Sequence, residues 1–179
     1  MSEQGERTSP VVEQATSLVT PDMVERQGVW GGQRSSFPVS ESDIRKWAIA
    51  VYWPEKPPPI FWDAAYAATT RHGTIIAPPD FNPFAWPIVH ERVKPKPAAK
   101  ADTAEVRKVP KLRGMNGGQV ETYGVAMRPR DVITARNRLR DWEERDTRLG
   151  HTLFTYSETE WHNQHQELVK LRVSTAIRY

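Results

Sequence analysis

The spacing of apolar positions changes character near the middle of the chain. From Ser40 onward, Ile44, Trp47, Ala48 and Val51 recur at intervals of three and four. That period predicts an amphipathic helix of about three turns, with Ser40 as its N-cap and Pro54 beyond its end. Before it, Thr20-Pro21-Asp22 can open a short helical turn, and Gly28 to Ser36 reads as a loop carrying Trp30. After it, Pro57-Pro58-Pro59 forces extended backbone. Asp63 can then cap a second helix, AAYAATTRH, which ends at Gly73 where glycine is favoured. Ile75-Ile76 follow, and Pro78-Pro79 predict the start of a further helix that Pro83 and Pro87 interrupt.

Beyond Gly117-Gly118 the period shortens to two. Gln119 to Val125 alternates like a strand, and Arg128-Pro129-Arg130-Asp131 reads as a turn. VITARNRLRDWEER satisfies both a helix (Val132, Ala135, Leu139, Trp142) and a strand (Val132, Thr134 and the arginines at 136, 138 and 140). HTLFTYSETEW alternates, Asn163 to Gln166 is a polar turn, and LVKLRVSTAIRY is strand-like. In that last run Val169, Leu171, Val173, Thr175 and Ile177 share one face; Leu168, Lys170, Arg172 and Ser174 share the other. Helices early and antiparallel strands late predict an α+β fold with helices packed on one face of a sheet.

Composition adds constraints. A length of 179 residues suits a single domain, and seven tryptophans call for broad apolar surfaces in a core, pocket or interface. With no cysteine, a disulfide framework, a thiolate zinc site and a cysteine nucleophile are all excluded. The polar N-terminus and the lack of a long apolar run predict a cytoplasmic protein with no membrane contact. Between Lys94 and Arg113 lie seven Lys/Arg residues among prolines and alanines. This basic stretch reads as a solvated linker without the aromatics that would stack on nucleic acid. Its sharper reading is contact with a phosphate-bearing acyl carrier through Lys94 and Lys96.

Local motifs supply little chemistry. The glycine pairs lack a phosphate-loop context, and no G-x-S-x-G elbow is present. His162 and His165 lie in a turn without a carboxylate cluster, which argues against a metal, and His72 sits at a helix end where its charge suits the macrodipole. Asp80-Phe81-Asn82-Pro83-Phe84-Ala85 looks like an acid/base motif whose final histidine has become alanine.

Two segments, VSESDIRKWAIAV and DAAYAATTRHGTIIAPPDF, resemble the N-terminal half of MaoC-like dehydratases. That group includes R-specific enoyl-CoA hydratases and the dehydratase region of type I fatty-acid synthases. GGQVETYGVAMRPRDV and the final strands resemble its C-terminal half, so the likeness covers about 37–91 and 117–179. It implies a hotdog fold, an antiparallel sheet wrapped around a central helix, working as a pair of such folds with the acyl-thioester site between them. It also implies strand for the ambiguous 132–145 segment. The chain then divides into a flexible tail over 1–25 and one hotdog domain over 26–179, with a basic insertion at about 93–114.

The resemblance places the family's Asp-x-Asn-Pro-x-His before the alanine-rich helix, at positions held here by Lys56, Pro58, Pro59 and Phe61. The Asp80 run is then a coincidence in another element. Dehydrating a 3-hydroxyacyl thioester needs a base, an acid and donors for the thioester oxygen, and Phe61 supplies none of these. The implied role is the non-catalytic subunit of a heteromeric enoyl-CoA hydratase or 3-hydroxyacyl-thioester dehydratase, without a cofactor or metal. Trp53, Phe61, Trp62, Phe81, Phe84 and Trp86 are its expected acyl-binding residues, with Trp47 and Tyr52 as further pocket or interface candidates. Two alternatives stand beside it. One is a self-sufficient dehydratase or thioesterase using Asp63 or His90; the other is a non-enzymatic acyl-CoA-binding module.

Overall fold

The computed structural model describes residues 17–85 and 112–179. Five antiparallel strands form one sheet in the order β1-β3-β4-β5-β2: β1 (Arg34–Ser35), β2 (Gly114–Tyr123), β3 (Thr134–Thr147), β4 (Gly150–His162) and β5 (Leu168–Arg178). Three helices accompany it: α1 (Pro21–Arg26), α2 (Glu41–Tyr52) and α3 (Ala64–Ala68). The expected hotdog fold is present, its central helix α3 reduced to little more than one turn.

Local chemistry sets the helix starts. Ser40 Oγ accepts from the Asp43 N–H at 3.0 Å, Asp63 Oδ1 accepts from the Tyr66 N–H at 3.0 Å, and Thr20 Oγ1 caps α1. Each bond satisfies an N–H that has no partner within its helix. Gly73 ends the turns after α3 with φ +68°, a conformation that penalises any Cβ. The proline-led helix expected after Pro78 is absent. Phe81 N–H instead bonds to Pro78 O, Asn82 Oδ1 accepts from the Phe84 N–H, and the segment turns tightly. Asx turns of this kind compete with helix for the same backbone groups.

The core joins α2, α3 and the loops after them to the sheet. Ile44 of α2 and Ala67 of α3 are completely buried against Ala135, Trp161 and Val169 of three successive strands. Val51, placed on the inward face of α2 by its period, is 46% exposed; Ile44 and Ala48 are the buried residues of that helix.

The ambiguous segment is strand β3, and its cross-strand partners show why. Arg136 bonds to Glu160 through two nitrogens, and Arg138 does the same with Glu158. Those pairs sit in register in a sheet and would be scattered around a helix. The stretch taken for a glycine loop also joins the sheet. Gly28 and Gly31 N–H groups bond to Leu139 O and Asn137 O, β1 pairs with β3, and Trp30 lies between the guanidinium groups of Arg136 and Arg138.

Part of the expected tail packs as well. Met23 of α1 is 8% exposed, and Glu144 accepts hydrogen bonds from Leu18 N–H and Ser17 Oγ. Burial alone would raise the Glu144 carboxyl; these two bonds and nearby His151 hold it below the ordinary range. His151 is raised, chiefly by its 2.9 Å contact with Asp146 and further by Glu144. The contribution of Glu144 is present above its unfolded value of 4.5 and is lost on acidification. That of His151 is complete below its unfolded value of 6.5 and is lost as pH rises through the raised folded one. Residues 17–20 are therefore held best between those two values. A ¹⁵N titration of the Leu18 amide should show steps on both sides in the wild type and none in Glu144→Gln. A flat wild-type profile would remove the ion-pair account of this docking.

Candidate functional site

The positions before α3 carry no acid/base pair. Pro58 and Pro59 open a 3-10 turn over Pro59–Phe61, Lys56 lies 4.5 Å above the Trp62 ring, and Phe61 points inward at 8% exposure. Asp63 spends an oxygen on capping α3. Among the described residues the histidine–carboxylate contacts are those of His151 with Asp146 and Glu144. They lie at the far end of β4 from Trp161, roughly 33 Å along the strand. No group of three metal-ligating side chains occurs among the described residues, and no described helix is long and apolar enough to cross a membrane.

Nor does the fold gather the expected acyl-binding aromatics into one wall. Trp53 is 77% exposed. Trp62 Nε1 donates to Pro57 O, which ties the ring to its own loop. Phe81 is core, edge-on to Trp47 at 5.5 Å, and Phe84 is edge-on to Trp161 at 5.5 Å with Arg34 over its other side. Tyr52 packs beside Phe61 at 6.0 Å. Trp86, His90, Lys94 and Lys96 lie outside the described residues. In the Asp80–Ala85 run the phenylalanines take part in packing and Asn82 shapes a turn.

Phe61 does line a cavity. It measures about 340 Å³ and lies between the loop after α3 and the connection from β2 to β3. Ile60, Phe61, Ile76 and Met127 supply apolar walls, while Arg71, His72, Tyr123 and Lys170 supply the ionisable ones. Such a volume is at the small end of ligand pockets, which run from about 300 to 1,000 Å³. Pattern reading alone finds Phe61 here but misses the rest, because the cavity is assembled from four separate stretches of chain.

Behind this cavity is an ionic cluster that the sequence concealed. Lys170 is 2% exposed, its Nζ 3.8 Å from Glu121 Oε2 and above the rings of Trp161 and Tyr123 at 4.6 and 5.2 Å. Arg172 Nε donates to Glu121 Oε1 at 2.7 Å, and the Tyr123 hydroxyl donates to Glu121 Oε2. Burial pulls the Lys170 ammonium below its usual range, opposed in part by Glu121. Burial would raise Glu121, but bonds from Tyr123 and Arg172 and the charges of Lys170 and Arg172 bring it down. The Tyr123 hydroxyl, bonded to that carboxylate, is pushed up to about 12.

Comparison with known proteins agrees with this architecture. No curated protein sequence matches the chain significantly. Among solved structures, the ChsH1-ChsH2 complex from Mycobacterium tuberculosis is similar with a TM-score of 0.64 at 19% identity, over 88% of this chain and 93% of that one. A MaoC-like dehydratase from Rhodospirillum rubrum gives 0.54 at 14% identity over 88% and 96%. The C-terminally truncated HadBC (3R-hydroxyacyl-ACP dehydratase) complex from Mycobacterium tuberculosis gives 0.53 at 17% over 85% and 96%. These likenesses speak for the fold. The model of the FAS1-like dehydratase domain region matches residues 26–172, and with most of its length so matched the chain belongs to that family.

Proposed function

We propose that this chain is the non-catalytic subunit of a heteromeric enoyl-thioester hydratase or 3-hydroxyacyl-thioester dehydratase. It shapes the acyl pocket while a second hotdog chain brings the acid and base. The observation that carries this reading is the occupied slot before α3. Where water addition or removal needs proton-transferring groups, Pro58, Pro59 and a buried Phe61 stand instead. Phe61 then serves the acyl chain, as part of the apolar wall it forms with Ile60 and Met127. Two of the similar structures are complexes of two components, which supports a paired arrangement.

The partner's place is the outer edge of β2, which no described strand covers. This strand pairs with β5 on one side, and Met115, Val120 and Tyr123 on it are 43%, 70% and 48% exposed. Exposed edges of this length are templates for another strand, and lysines are an effective way of blocking them. Met115→Lys with Val120→Lys is expected to weaken partner association at least about tenfold without altering thermal stability. Light scattering of the mixed chains reads the first and calorimetry the second. Association unchanged by both lysines would move the interface elsewhere.

Turnover tests the main proposal. Hydration of crotonyl-CoA and of a bulkier enoyl-CoA is followed at the enoyl-thioester absorbance, with the chain alone and with a candidate hotdog partner that carries an intact Asp-x-Asn-Pro-x-His. Activity only in the mixture is the expected result. Full activity of the isolated chain would overturn the non-catalytic role and direct attention to Asp63 and His90. Tight thioester binding with no turnover in either case would favour an acyl-binding module instead.

A further inference from the structure

A buried lysine beside an apolar cavity needs a reason. Lys170 is almost wholly excluded from solvent, yet its nearest carboxylate oxygen, at 3.8 Å, is beyond hydrogen-bond reach. Glu121 Oε1 accepts from Arg172 and Gln119 and Oε2 from the Tyr123 hydroxyl, and this anchoring holds the carboxylate 3.8 Å from Nζ. Two aromatic faces hold the ammonium electrostatically, but a ring face offers no lone pair in the direction of an N–H. Lys170 and Tyr123 both contribute to the wall of the 340 Å³ cavity, whose remaining ionisable wall residues, Arg71 and His72, carry no negative charge. The carboxylates within electrostatic range of Lys170, Glu121 and Asp80, are not part of the cavity wall, whose charged residues are the cations Lys170 and Arg71. Apolar walls with an unmatched cation favour an apolar molecule bearing one anionic head.

We propose that this cavity binds an aliphatic carboxylate, its hydrocarbon against Ile60, Phe61 and Ile76 and its head group on Lys170 Nζ. An incoming carboxylate supplies the short charge-assisted bond that Glu121 is placed too far away to give. The carboxylate has two possible sources: a free fatty acid, or the distal carboxylate of an acyl thioester. The second source rests on the dehydratase-subunit reading; the first is independent of it.

The full chain is titrated with decanoate and separately with decanol, by calorimetry and by tryptophan fluorescence, for which Trp161 lies next to Lys170. Decanoate is expected to bind at least about tenfold more tightly than decanol, and Lys170→Met to abolish that preference. Lys170→Met leaves Glu121 bonded to Arg172, so the variant should retain its fold, checked by circular dichroism. Ile76→Trp narrows the cavity while leaving Lys170 in place, and it should remove decanoate binding. Equal affinity for acid and alcohol, a folded Lys170→Met that still discriminates, or undiminished binding by Ile76→Trp would each overturn the proposal. Displacement of bound decanoate by the coenzyme A monothioester of decanedioic acid, but not by decanoyl-CoA, would assign the carboxylate to a thioester substrate. Displacement by neither would assign it to the free acid, and the proposal would then stand whatever the turnover assay shows. Equal displacement by both would overturn the requirement for a carboxylate.

Discussion

Trp161→Ala should cost about 3–5 kcal/mol, a large share of the 5–15 kcal/mol that holds a domain of this kind together. The indole is 5% exposed and stands where two environments meet. On one side it belongs to the cluster of Ile44, Ala67 and Val169, and Phe84 packs edge-on to it. On the other its face carries Lys170 at 4.6 Å, with Arg172 at 6.0 Å. Alanine would therefore open a cavity in the core and withdraw the aromatic surface that makes the burial of an ammonium tolerable. Urea denaturation should show a lower midpoint with little change in slope, since the surface exposed on unfolding hardly alters. Trp161→Phe should recover part of the loss by refilling the apolar half. A loss below about 1 kcal/mol for the alanine variant would mean that Trp161 is not the joint we take it for.

Glu121→Gln should be nearly as damaging at neutral pH, for an electrostatic reason. Removing one member of a buried pair strands the other, typically at about 3–5 kcal/mol, whereas replacing the charge by an apolar group is often tolerated. Here the stranded group is Lys170, whose folded pKa already lies below its unfolded value of 10.5 because of burial. A cation held below its unfolded pKa opposes folding fully at low pH. That opposition fades as pH rises through the folded pKa toward 10.5. Glu121→Gln should consequently regain stability as the solution is made alkaline, which the wild type should do less. Adding Lys170→Met should restore most of the loss at pH 7 and remove the pH dependence. The Tyr123 hydroxyl should also titrate nearer its ordinary value once its acceptor is gone, visible in the phenolate absorbance. If the double variant is as unstable as Glu121→Gln, the damage comes from Arg172 or Tyr123 and not from an orphaned ammonium.

Both predictions concern residues whose importance is invisible in a linear reading. Alternation along Leu168 to Arg178 correctly marks a strand with two faces, one richer in apolar side chains. It does not say which face turns inward. Along this strand Val169 and Lys170, on opposite faces by strict alternation, are both buried. A register shift at Trp161/His162 makes this possible, and a shift of that kind depends on strand pairing. The helix starts were legible because Ser40, Thr20 and Asp63 act on N–H groups three residues away. The turn at Arg128–Asp131 was legible for the same reason, Asp131 accepting from the Arg128 N–H at 2.7 Å. By contrast, β3 was ambiguous because its ion pairs with β4 join residues 20 and 24 positions apart in the chain.

The candidate site divides along the same line. That Lys56, Pro58, Pro59 and Phe61 stand before α3 could be read directly, since a covalent inventory of side chains is complete in the sequence. The acyl wall could not. Trp53, Trp62, Phe81 and Phe84 are all aromatic and close together in the chain, yet one is exposed, one is tied to its loop and two belong to the packing around Trp47 and Trp161. By itself, then, the sequence determined the later strands β4 and β5, the helix caps, the family and the identity of the residues before α3, all properties of local bonding or residue identity. The tertiary structure alone decided which face of β5 is buried, which aromatic meets a cavity and where an ammonium is desolvated. Burial is conferred by segments distant in the chain, and no residue carries it as a property of its own.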